Sequence, residues 1–314
     1  MPPSLSVPTP IEPVSLPGFA DRGIALYVKR DDLIHPRIIG NKLRKSLPHF
    51  KKFESSGCTS ILTFGGRFSN HLLAVAQASH ASGIATAGVV RGTDNRGTSG
   101  VLDECRQLGM QILAVGTKDY PLLQRMDAGD LKMKLGLNSP PYVIPEGGTS
   151  SLAIEGVGRI IDEIADPGSY AYIICAVGTG GTAAGLAWGL AQRPELQLPK
   201  VLAVAILKGY AHLPEQGQSA LRKQAGDAAA KRILSRHLEF DGSAPWGRYG
   251  KPPASVLARL RALQDAVSFP VDYVYTGKAL LQLEQLVLAG RFARGSRLLF
   301  LHTGGYQTAP ILSG

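Results

Sequence analysis

Residues 172–191, YIICAVGTGGTAAGLAWGLA, decide the fold. Tyr172–Val177 is a short apolar run that reads as a buried strand. The loop Gly178-Thr179-Gly180-Gly181-Thr182 interrupts it, and Ala183–Ala191 reads as a helix. Glycines in such a loop let backbone N–H groups crowd around an anion, and the helix start adds a favourable dipole. With the hydroxyls of Thr179 and Thr182, the loop suits a phosphate monoester. It lacks the Lys-Ser/Thr end of a Walker A loop, and it is not a GxGxxG fingerprint with a later acid. The plainer alternative is a tight turn with incidental glycines.

The same alternation extends outward in both directions. Short apolar runs at Ala25–Val28, Ile61–Phe64, Thr86–Val90, Gln111–Val115, Tyr142–Ile144, Val201–Leu207 and Arg297–His302 read as strands. Helical stretches stand between them: His71–Ala81, Gly97–Leu108, Tyr120–Lys134, Leu152–Ile164 and Gly277–Ala289. Strands alternating with helices imply parallel sheet and an α/β fold. Pro8–Leu16 reads as an extended lead-in, because its prolines keep it out of helix. Lys208–Leu263 is irregular, and its topology does not follow from the pattern.

Four of these strand ends run into glycine or small polar residues, and ligands bind at the carboxyl ends of such strands. Besides 178–182 they are Gly65–His71, Glu146–Ser150 and His302–Gly305. Ser69 or Asn70 serves equally as a helix N-cap or in a carboxylate site, and the two roles are compatible. Ser150 reads first as a cap. His302 reads first as a satisfied histidine at a strand end. Alone, Tyr275 reads as core packing before it reads as an acid/base.

Upstream, Lys29–Lys45 is KRDDLIHPRIIGNKLRK. Gly40 tolerates unusual backbone angles and Asn41 is a candidate N-cap, so Lys42 stands at the start of a helix. The helix dipole and the like charge of Lys45 one turn on both push the Lys42 amine toward its neutral, nucleophilic form. On this segment alone, a solvated surface lysine is the favoured reading.

The chain of 314 residues has room for one large or two medium domains. Its net charge of +10 is scattered, with no nucleic-acid motif, so it reads as a bias toward anionic small molecules and a solvated surface. Cys58, Cys105 and Cys175 have no CxxC spacing and imply neither a disulfide framework nor a zinc site. The Pro- and Ser-rich start has no long apolar core, so neither a secretory signal nor a membrane span is expected, and a cytoplasmic protein is.

Taken together, PTPIEPV, KRDDL, GNKLRK, GGRFSNH, YVIPEGG, VGTGGTAAG, VYTGKA and HTGGY resemble the fold-type-II pyridoxal-phosphate enzymes. Within these, they resemble the D-cysteine desulfhydrase / 1-aminocyclopropane-1-carboxylate deaminase group. The segments occur in family order from Thr9 to Gly305, which covers nearly the whole chain. The resemblance implies two open twisted-sheet α/β domains, tryptophan synthase β-like. The large one is expected over residues 1–45 and 157–314, with a small one, 46–156, inserted. It also implies a homodimer and pyridoxal 5'-phosphate as cofactor.

Residue by residue, the resemblance makes Lys42 the Schiff-base lysine that later moves protons at Cα. Asn70 would bond the ring hydroxyl. Ser69 and His71 would line the carboxylate pocket. Gly178, Thr179, Gly180, Gly181 and Thr182 would cradle the phosphate, with Lys45 beside them. Tyr275 would stand over the reacting atoms, Tyr249 would complete the substrate pocket, and Thr276 would face the pyridine nitrogen. The deaminase branch resembles this chain less there, having a glutamate. Threonine suits a neutral ring nitrogen, a weaker electron sink that is adequate for β-elimination. The expected reaction is therefore desulfhydrase-like elimination from a small amino acid, giving pyruvate, ammonia and sulfide. Ring opening to 2-oxobutyrate and ammonia is the alternative. Arg67, Phe68 and Leu72 depart from the family pattern beside the carboxylate site. They motivate a second reading, a cofactor-binding protein without turnover. Charge alone motivates a third, nucleic-acid binding.

Overall fold

The computed structural model describes residues 5–38, 40–92, 100–193, 197–206, 210–243, 246–247 and 250–305. Among the described residues, ten strands form two sheets. They are β1 Ile11–Val14, β2 Ala25–Arg30, β3 Ser60–Gly65, β4 Ala85–Arg91, β5 Gln111–Val115, β6 Tyr142–Ile144, β7 Tyr172–Val177, β8 Lys200–Ala205, β9 Leu238–Asp241 and β10 Arg297–His302. The six-stranded sheet has the order β1-β2-β10-β7-β8-β9, and the four-stranded sheet the order β5-β4-β3-β6. Every pairing is parallel except β1 with β2.

Parallel strands are buried on both faces, and side chains alternate between the faces with period two. In β7, Ile174 enters one core with the helices Ala254–Ala266 and Thr276–Leu288. Its neighbours Ile173, Cys175 and Val177 enter a second core with the helix Gly181–Ala191. The small sheet is likewise sandwiched. Ile61 faces a core shared with the helices Lys42–Glu54 and Asn70–Ser82, while Leu62 and Phe64 pack with Tyr120 and Leu131.

Several expected elements differ in extent. The lead-in at Ile11–Val14 is an edge strand, where Pro13 is tolerated because one side of the strand needs no ladder donor. Tyr120–Lys134 is not one helix: Asp127 takes extended angles and its carboxylate accepts from Asp130 N at 2.9 Å, starting a new helix at Ala128. Leu152–Ile164 also divides, into the helix Ser151–Gly158 and a 3-10 turn Ile161–Glu163. Among the described residues, the unplaced stretch supplies two helices, the edge strand β9 and most of a third helix, Ala254–Ala266.

The strands of the two sheets deliver their carboxyl ends to one place. Loops after β3, β6, β7 and β10 meet the start of the Lys42 helix there. Gly40 makes this approach possible, with φ of +79° and a position where a Cβ would stand 2.1 Å from Thr303 O.

Candidate active site

A cavity of about 280 Å³ opens where these loops converge. Lys42, Ser69, Asn70, His71, Gly178, Thr179 and Tyr275 line it. A narrower cleft continues from it, bounded by Lys42, Lys45, Asn70, Gly178, Thr179, Gly180, Thr182, Tyr275 and Thr303. Of the residues expected to form a site, most are thus brought together from five separate segments. Tyr249 lies outside the described residues.

Lys42 begins the helix Lys42–Glu54, as expected, but Asn41 does not cap it. Asn41 has helical angles, and its Nδ2 instead donates to Thr182 Oγ1 at 3.0 Å, tying the Lys42 turn to the glycine loop. Burial brings the Lys42 pKa down to about 8, although its bond with Lys45 works the other way. The Lys45 pKa falls well below its ordinary value, through burial first and then the Lys42 charge. The direction agrees with the sequence reading but the leading cause does not. Desolvation dominates, and the like-charge cost falls mainly on Lys45.

This pKa has a measurable consequence. An amine that is half neutral at about pH 8 reacts with aldehydes in a range where an ordinary lysine is almost wholly protonated. The rate at which cofactor-free protein takes up pyridoxal phosphate should therefore rise through about pH 8 and level off above it. A rate still climbing steeply past pH 10, followed by absorbance, would remove the assignment to Lys42.

The helix Gly181–Ala191 points its N-terminus into the narrow cleft. Gly181 needs to be glycine, since a Cβ there would stand 2.6 Å from Thr149 Oγ1 and 3.0 Å from Lys45 Nζ. Thr182 Oγ1 accepts from Asn41, so its own proton is free to donate. Thr149 and Thr179 share a 2.6 Å hydroxyl bond beside it. A helix start, free backbone donors, threonine hydroxyls and a buried lysine form the donor set that an oxygen dianion requires. Lys42 is within the same cleft, and the Asn70 side chain reaches across to Gly305. These residues fit a molecule that carries a phosphate and a carbonyl.

Ser69 is both cap and lining residue: its hydroxyl accepts from Leu72 N at 3.3 Å. His71 is buried, with Nε2 2.8 Å from Thr63 Oγ1. Its pKa is driven well below the ordinary histidine value by burial and then by Lys42 and Lys45, so the ring is neutral. Ser150 caps its helix through Ala153 N, as read. His302 donates from Nε2 to Pro270 O at 2.7 Å and accepts from Gly304 N, so it is a satisfied histidine.

Thr276 is fully buried and donates to Gly304 O at 3.1 Å. Asp272, which sequence reasoning did not single out, holds this corner. Its carboxylate accepts from the backbone N–H groups of Val274, Tyr275 and Thr276 at 2.6–2.8 Å, fixing Tyr275 at the cavity wall. Arg67, Phe68 and Leu72 are not among the lining residues. Phe68 packs edge-on against Tyr273, and Leu72 is buried under the small sheet.

The chain matches the family described as "Pyridoxal-phosphate dependent enzyme" over residues 4–304. It is 32% identical over 288 residues to a Pyrococcus horikoshii protein provisionally named 1-aminocyclopropane-1-carboxylate deaminase, covering 90% of this chain and 85% of that one. It is 28% identical over 317 residues to a protein of Salmonella choleraesuis named D-cysteine desulfhydrase, covering 98% and 94%. A crystal structure titled as an ACC deaminase homologue superposes with a TM-score of 0.79 at 27% identity, covering 100% of this chain and 96% of that one. Two α/β sheets, a glycine cradle for an anion and a lysine of lowered basicity thus coincide with these similarities, and the chain belongs to the pyridoxal-phosphate-dependent enzyme family.

Proposed function

We propose that the protein catalyses α,β-elimination from a small amino acid, releasing a 2-oxo acid and ammonia. D-cysteine or a β-substituted relative is the substrate, with sulfide as the leaving group for D-cysteine. The observation that carries this reading is the Lys42 amine, of lowered pKa, opening on one cavity with Ser69, Asn70, His71 and Tyr275. Pyridoxal phosphate, when bound, supplies an electron sink at the substrate's Cα.

The chain's own residues do the rest. Gly178–Thr182 and Lys45 would hold the phosphate, Asn70 would bond the ring hydroxyl, and Lys42 would be the point of covalent attachment. Ser69, Asn70 and His71 bind the substrate carboxylate at the start of the helix Asn70–Ser82, where the dipole favours an anion. Lys42 takes the Cα proton, and Tyr275 moves a proton at the leaving atom. Thr276, whose hydroxyl donates to Gly304 O, stands beside Tyr275 as a neutral side chain and not a carboxylate, which favours elimination over the harder opening of a cyclopropane.

Residues 46–156 would move as a small domain against 1–45 and 157–314. The two chain crossings lie side by side, where a Cβ on Gly156 would stand 2.3 Å from Arg44 O. Closure would exclude water from the cavity. We further propose a homodimer in the cytoplasm. Among the described residues, no helix is long and apolar enough to cross a membrane.

The names of the Pyrococcus horikoshii relative and of the ACC deaminase homologue support a second reading, opening of 1-aminocyclopropane-1-carboxylate to 2-oxobutyrate and ammonia. One assay separates the two. With D- and L-cysteine and the cyclopropane substrate supplied in parallel, sulfide and pyruvate are expected from D-cysteine. 2-Oxobutyrate from the cyclopropane, without sulfide from either cysteine, would reverse the choice.

A further inference from the structure

The cavity is also lined by Arg91, Tyr120, Gln124, Glu146, Tyr210 and Gln216, none of which the elimination chemistry has used. Glu146 is half-buried, and Gln124 Nε2 donates to its Oε2 at 2.9 Å. Tyr120 is 2% exposed, and its hydroxyl faces the Glu146 carboxylate. Burial, followed by the Glu146 charge, raises the Tyr120 pKa, so it stays a neutral phenol. Tyr210 is kept neutral in the same way, by burial and then Glu146. Arg91 lies over the Tyr120 ring at 5.6 Å but is exposed, and water screens its charge. This part of the cavity therefore holds one carboxylate, two neutral phenols, two amides and the exposed Arg91 guanidinium.

Such a lining is poorly matched to a thiol, a weak donor, and to a cyclopropane, which has no donor. Either would displace water from the Glu146 carboxylate without replacing its hydrogen bonds. A cationic nitrogen satisfies it. We propose that Glu146, with Tyr120, binds an ammonium group on the substrate's Cβ, so that the preferred substrate is a 2,3-diamino acid. This rests on the elimination reading above and names its substrate class.

The chemistry is consistent with the site. Lys42 takes the Cα proton, the Cβ–N bond breaks with its electron pair going to nitrogen, and the β-ammonium departs as ammonia. Glu146 keeps that nitrogen protonated until it leaves, as an unprotonated amine is a poor leaving group. One 2,3-diaminopropionate and one water give one pyruvate and two ammonia, with no oxidant or reductant.

The test uses the holoenzyme with both enantiomers of 2,3-diaminopropionate and with D-cysteine. The cofactor's absorbance reports binding, and pyruvate release reports turnover. The wild type is expected to have a higher kcat/KM for one diamino enantiomer than for D-cysteine. Glu146→Gln is expected to lower that value by roughly ten- to a hundredfold, mainly through KM, and to lower the D-cysteine value by less. Retained cofactor absorbance shows that the variant is folded. Pyruvate from D-cysteine but not from either diamino acid overturns the inference and leaves elimination standing, as does an equal loss for both substrates. No 2-oxo acid from any amino acid, with cofactor absorbance unmoved, overturns elimination itself and this inference with it.

Discussion

Lys42→Ala protein is expected to lose turnover by at least about a thousandfold and to lose the visible absorbance of covalently held cofactor. Two separate functions leave with the amine. One is the attachment point, which Lys45 cannot replace: its Nζ lies 3.0 Å from where a Cβ on Gly181 would stand, committed to the glycine loop. The other is the base, which must reach Cα from within the cavity that Lys42 lines. Lys45→Ala makes the contrast. It should retain the absorbance of attached cofactor, because Lys42 remains, but should bind pyridoxal phosphate more weakly through the loss of a buried hydrogen-bond donor at the phosphate. A Lys42→Ala protein that kept both the absorbance and the activity would mean that another amine holds the carbonyl. The buried Lys278, whose pKa burial also brings down to about 8, would be the next to test.

The glycine loop at 178–182 and the helix start at Lys42 were legible in the sequence because each is local, but the Lys42 segment alone favoured a solvated surface lysine, and the structure places that residue in the cavity lining. A strand that ends in glycine and starts a helix announces an anion site within a dozen residues. The cause of the Lys42 pKa was not legible, because desolvation comes from residues far along the chain. The part of Asn41 was misread for a related reason. Its type and place suggest a cap, yet its partner, Thr182, is 141 positions away. Asp272 had a local signal, an acid just before a helical run, but its three backbone acceptances only make sense once Tyr275 is known to line the cavity. Glu146 was visible only as part of a glycine turn, and Tyr120 only as the start of a helix. What joins them to Lys42 is the convergence of two sheets. The helix breaks at Asp127 and after Gly158 were missed because apolar periodicity continues across them. β9, a four-residue edge strand, offered too short a pattern to recognise.

The second large effect is expected far from the cavity mouth, at Glu163. Its carboxylate accepts from Thr9 N at 3.1 Å, Lys29 Nζ at 2.7 Å and the two terminal nitrogens of Arg44 at 2.6 and 3.0 Å. Arg44 also grips Asp31 with two bonds of 2.8 Å. Arg44 stands between Lys42 and Lys45 in the chain, so this buried network fixes the helix that carries both amines. Glu163→Ala leaves Lys29, which is fully buried, without its carboxylate, and the loss should be on the order of 3–5 kcal/mol of unfolding free energy. The cost reflects an unpaired buried charge, so the double variant Lys29→Met, Glu163→Met should be more stable than Glu163→Ala.

Acid acts on the same group. Burial would raise the Glu163 pKa, but bonding to Arg44 and Lys29 more than reverses this and holds it below the ordinary value of 4.5. A carboxylate with a depressed folded-state pKa contributes stability that is fully present above the unfolded value and lost as pH falls through the folded one. The difference between wild type and Glu163→Ala in denaturant midpoint should therefore be constant from neutral pH down to about 4.5, then shrink at lower pH. A gap that widened on acidification would mean that Glu163 is held protonated in the fold, and the network could not be what positions the Lys42 helix.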